Sequence, residues 1–145
     1  MSGYPTFNTR VIGQAEKTLN AILGRHLAGT GLTEPQWVIL TLAVTSGGTA
    51  DRDRFTGMVA EALKISEADA QARIAEMVDA QWLEVTGAGS AVTVTAAAQR
   101  LHIQIGATIA GITQRLWGDL PADDLATAGR VLAIVTERAN AELVR

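Results

Sequence analysis

Between Thr9 and Leu27, Val11, Ile12, Ala15, Leu19, Ile22, Leu23 and Leu27 fall three or four apart, predicting an amphipathic helix that ends near Gly29. In "GLTEPQWVILTLAV", Thr33 stands three residues before Gln36 and Pro35 sits in the first turn, so a second helix runs to about Thr45. "RFTGMVAEALK" puts Phe55, Met58, Val59, Ala62 and Leu63 on one side of a third helix. Ser66 with Asp69 then forms a capping box that opens "EADAQARIAEMVDAQ". Beyond Thr95, Leu101, Ile105, Ile109, Ile112 and Leu116 mark a helix of about 20 residues, roughly 30 Å long. After Pro121, Leu125, Ala128, Leu132, Val135 and Ala139 alternate spacings of three and four, the narrow seam that helices use against other helices.

The period changes once. Leu83, Val85, Val92 and Val94 alternate with Glu84, Thr86, Ala91 and Thr93 around Gly87-Ala88-Gly89-Ser90, which predicts a hairpin with one packed and one wet face. Only Lys64-Ile65 separates the third helix from the Ser66 cap, so that pair turns sharply, as in a helix-turn-helix. Helix, turn, helix and ribbon in that order predict a mainly α fold with a small β-hairpin wing, a winged helix-turn-helix with long N- and C-terminal dimerisation helices. The first and last helices would outreach the winged body, and a second copy of the chain is the simplest means of burying them.

A chain of 145 residues, 48% hydrophobic and 19% charged, suits one soluble domain. No apolar run reaches the roughly 18 to 20 residues of a membrane span, and MSGYPTFNTR lacks the basic-then-apolar order of a signal peptide, so a cytoplasmic location is expected. Without cysteine there is no disulfide, thiolate metal site or thiol sensor. His26 and His102 lie in no HExxH pattern, and GxSxG and P-loop spacings are absent; both histidines read as solvent-facing or helix-terminal. "GAGSAV" lacks the third glycine of a dinucleotide loop, and Asp123-Asp124 suits a helix dipole. No enzyme, cofactor or metal is expected. Trp37 reads as core or interface, with an aromatic-ligand pocket as the alternative; Trp82 reads as an anchor at the base of the wing, and Trp117 packs where the long helix ends.

The stretches "LTEPQWVILTLA", "LKISEADAQARIAEMVDAQWL", "VTAAAQRL" and "LPADDLATAGRVLAIVTERANAEL", in this order and spacing, resemble the MarR family of winged-helix regulators across almost the whole chain. The resemblance implies a single MarR-like domain over 1–145, with a winged helix-turn-helix at about 33–95 and dimerisation helices at about 5–30 and 96–145. It implies a homodimer that sets one recognition helix per subunit into the major groove of double-stranded DNA, with the wing tips on flanking minor groove or backbone. Ser66, Asp69, Ala70, Gln71, Arg73, Arg52 and Arg54, with Gly87, Gly89 and Ser90 of the wing, would form that face. A small aromatic or anionic ligand would bind near His26, Trp37 and Arg100 and release the DNA.

Departures from the family all point one way. Ala72 stands where the recognition helix usually carries Arg, Gln81 replaces the glycine after it, and the wing tip, usually an Asp/Arg-rich run, is only Gly87-Ala88-Gly89-Ser90. Between residues 49 and 94, Arg52, Arg54, Lys64 and Arg73 face Asp51, Asp53, Glu61, Glu67, Asp69, Glu76, Asp79 and Glu84, a net charge of −4 in a chain of −3. DNA affinity leans on cations that displace condensed counterions, although Glu67 and Asp69 also complement a helix N-terminus. Two readings stay open: a DNA-binding, ligand-responsive regulator, or a degenerate winged-helix dimer that binds a small molecule or protein and has little DNA affinity.

Overall fold

Side-chain caps set the helix starts, at Thr33, Ser66 and Thr95 as expected and at Asn8 and Asp51 besides. In a computed structural model that describes residues 3–145, Asn8 Oδ1 accepts the Val11 N–H at 2.9 Å to open α1 (Thr9–Leu27). Thr33 and Gln36 close a full capping box on α2 (Glu34–Thr45): the Gln36 N–H donates to Thr33 Oγ1 and the Thr33 N–H to Gln36 Oε1. Asp51 caps α3 (Arg52–Leu63). Ser66 caps α4 (Glu67–Asp79) through the Asp69 N–H at 3.0 Å, but the Asp69 carboxylate does not close the expected box, being one methylene shorter than the Glu or Gln that spans this gap. Thr95 Oγ1 accepts from the Ala98 N–H and donates to the Gln81 carbonyl at 2.9 Å, tying the start of α5 (Ala96–Trp117) to the turn that follows α4.

The hairpin has a third strand that the sequence pattern missed. β1 (Thr49–Asp51) pairs antiparallel with β3 (Ala91–Val94), which pairs antiparallel with β2 (Leu83–Thr86), in the order β1-β3-β2. The registers Leu83↔Val94 and Val85↔Val92 keep the apolar set on one face, as expected, with Leu83 and Val92 buried. The chain reaches β1 through Gly47 and Gly48 at φ 94° and 87°, values that favour glycine, and the Gly48 carbonyl accepts the Val94 N–H at 2.8 Å.

The chain divides into two compact units after Ala107, and α5 contributes to both. The expected domain span began at residue 1; residues 1 and 2 lie outside the described ones. In the first unit α2 is the central helix, with Ile39, Leu40 and Ala43 buried. Phe55 and Val59 of α3, Ile74 and Met77 of α4, Leu83 and Val92 complete its core, all with about 1% exposure or less. The second unit, Thr108–Arg145, holds the end of α5 and α6 (Ala122–Leu143). No residue of α6 is buried, and its seam residues Leu125, Leu132 and Val135 stand 36 to 44% exposed.

Candidate nucleic-acid interface

The turn between α3 and α4 is made by Lys64 in the left-handed conformation, φ 57°, so Ser66 can cap α4 two residues later. Burial then orients α4. Ala70, Ile74 and Met77 face the core, and at 100° per residue Ala68, Ala72, Ala75 and Asp79, all exposed, lie opposite. Ala70, expected at the DNA face, is therefore corrected: it is wholly buried. Gln71 and Arg73 remain exposed on the two flanks of the outward face, which itself carries methyl groups and the carboxylates of Glu76 and Asp79.

Two of the four cations of the module are engaged internally. Arg73 Nη1 lies 3.4 Å from both carboxylate oxygens of Glu76, and Lys64 Nζ lies 2.7 Å from Glu61 Oε1. Arg52 and Arg54, exposed at the start of α3, make no ion pair among the described residues.

The wing is a closed turn. Ser90 donates to the Gly87 carbonyl through both its N–H and, at 2.7 Å, its hydroxyl, and Gly87, Ala88 and Gly89 all have positive φ. The Arg52 N–H donates to the Ser90 carbonyl at 2.8 Å, so the structure joins the wing turn to the start of α3. Gln81 has φ 66°, a left-handed conformation that costs a residue with a Cβ roughly 1–2 kcal/mol.

Of the three residues expected at a ligand site, Trp37 has a partner, but a different one. His102 stacks on its indole with ring centroids 4.7 Å apart and 17° between planes, and His102 Nε2 is 3.2 Å from Thr41 Oγ1. The reading of His102 as solvent-facing or helix-terminal is thus overturned: it lies within α5, half-buried, and burial lowers its pKa below the ordinary 6.5. His26 is half-buried in the last turn of α1, and Arg100 is exposed on α5. Pattern could have found His102, which falls on the stripe Ala98, His102, Ile105, Ile109 with a polar residue at a core position. A groove of about 700 Å³ runs along β2 and is lined by Val78, Gln81, Leu83 and Val85, and one of about 280 Å³ lies beside Asp51 and Arg54; Trp37 and His102 line neither of these two. Among the described residues no cluster fit to hold a metal ion occurs, and no helix is long and apolar enough to cross a membrane.

No family model and no curated protein matches the sequence. Solved structures do match the fold. A MarR family transcriptional regulator from Silicibacter pomeroyi is 17% identical with a TM-score of 0.72, over 94% of this chain and 95% of its own. AbsC, a MarR family transcriptional regulator from Streptomyces coelicolor, is 18% identical with a TM-score of 0.72, over 95% and 99%. A MarR variant from E. coli complexed with operator DNA is 18% identical with a TM-score of 0.67, over 87% and 91%. The chain therefore has a MarR-like winged-helix fold, shared with these transcriptional regulators.

Proposed function

We propose that this protein is a homodimeric, ligand-responsive transcriptional regulator of the cytoplasm that binds double-stranded DNA. The observation that carries the reading is the presentation of α4: capped at Ser66, packed on one side only, and flanked by a wing turn hydrogen-bonded to the start of α3 beside the unpaired Arg52 and Arg54. A helix so presented suits a major groove, and its first-turn amides and the two arginines suit phosphate. The MarR variant solved on operator DNA, which shares this fold, supports the same use. Dimerisation draws on the exposed seam of α6, since apolar stripes of this length are ordinarily covered by a partner.

The second reading, a winged-helix dimer with little DNA affinity, is favoured by the net −4 of the module and by the alanines on the outward face of α4. Fluorescence anisotropy with the protein's own upstream intergenic DNA and a scrambled duplex, each across a salt series, separates the two. Sequence-selective binding with a shallow salt slope, about 0.9 per phosphate contact, establishes the regulator; no binding at low salt establishes the second reading. For the ligand, the Trp37–His102 stack is the reporter: aromatic acids should quench tryptophan fluorescence saturably, and full quenching retained in Trp37→Phe would remove Trp37 from the site.

A further inference from the structure

We propose that Glu76 is a positioning residue that sets the specificity of the α4 face by withholding Arg73 from the DNA backbone; the inference rests on the DNA-binding reading above. Arg73 is the only cation on α4, and its Nη1 stands 3.4 Å from both Glu76 oxygens, three residues on, with both side chains about half exposed. The contact is made within one helix, so it needs no tertiary support. A phosphate reaching Arg73 must displace the Glu76 carboxylate and then lie beside it. At about 4 Å in water one such like-charge contact corresponds to roughly a fivefold change in a binding constant, and the cost falls as salt is raised.

The penalty falls unequally on the two modes of binding. Non-specific affinity comes almost wholly from phosphate contacts, whereas selective affinity also draws on base edges. Gln71, on the opposite flank, is an exposed neutral amide of the type that reads adenine. Glu76 therefore taxes the background more than the target. Glu61 holds Lys64 in the same way at 2.7 Å, so the restraint extends to the turn before α4.

The test is Glu76→Gln, which removes the charge and preserves the shape; the Glu76 carbonyl still accepts the Ala80 N–H that ends α4. Anisotropy is measured on a random-sequence duplex pool and on a duplex enriched from that pool by the wild-type protein. Glu142→Gln serves as the control, since it removes the same charge from another exposed pair, with Arg145, outside the module. The expected result is about fivefold tighter binding to the random pool at low salt, a salt slope steeper by about 0.9, and a smaller gain on the enriched duplex. Adding Arg73→Ala to Glu76→Gln should abolish the gain. A gain that survives without Arg73, an equal gain in Glu142→Gln, or unchanged binding to the pool overturns the role of Glu76 while leaving the DNA reading intact. If neither wild type nor Glu76→Gln binds any duplex while both keep their helical content, the role and the DNA reading fall together.

Discussion

In the unit that ends at Ala107, the large apolar side chains of α2, α3 and α4 close on one another: Ile39, Leu40, Phe55, Ile74 and Met77 are about 1% exposed or less. In α6, drawn from a chain of the same composition, nothing is buried, and Leu132 is 44% exposed. Both regions obey helical periodicity. They differ in burial: the first unit covers its apolar side chains within itself, whereas the α6 seam stays exposed, the surface that the proposed dimer would cover. The exposed surfaces differ in kind too: the outward side of α4 offers methyl groups and charge, to which water is no obstacle, whereas α6 offers leucine and valine.

The contrast is broken most forcefully from the packed side. Phe55→Ala should destabilise the protein by about 3–5 kcal/mol in urea titration, at every protein concentration, because it opens a cavity in a core complete within one chain. A loss under 1 kcal/mol would mean that the first unit is not closed as described. Leu132→Asp tests the other side: the proposed dimer should dissociate about a hundredfold more readily by sedimentation, with the circular dichroism of the first unit retained. An unchanged dimer would place the interface elsewhere.

The smallest effect concerns His102, on the part of α5 that belongs to the first unit. Its folded pKa lies below 6.5 because burial disfavours the imidazolium, so between the two values the unfolded chain binds more protons. The stability that neutral His102 contributes is fully present above 6.5 and declines as pH falls through that value toward the folded one. Urea midpoints measured on either side of pH 6.5 should show this decline, and His102→Phe, which keeps a ring against Trp37 and cannot titrate, should lose that component of it.

Much of this was legible because it is local. α1 starts at Thr9, where its stripe starts, and ends at Leu27, two residues short of the expected Gly29, because the stripe lies within the helix's own sequence. The Thr33 box is a contact across three residues, and the hairpin register follows from alternation plus a glycine turn. β1 was missed because Thr49-Ala50-Asp51, after two glycines, has no pattern of its own and is a strand only where β3 runs beside it. Ala70 was misassigned because resemblance gives a position along a helix without giving its rotation, which burial of Ile74 and Met77 decides.

By itself, then, the sequence determined the helices, their caps, the sharp turn at Lys64-Ile65 and the acidity of the module, since each depends on residues within a few positions of one another. Only the tertiary structure decided the third strand, the tie from Arg52 to Ser90, the burial of Ala70 and the pairing of Trp37 with His102. Those features join residues that stand far apart in the chain or depend on packing against other elements, and no local period records which side chains the folded backbone brings within a hydrogen bond or a ring stack.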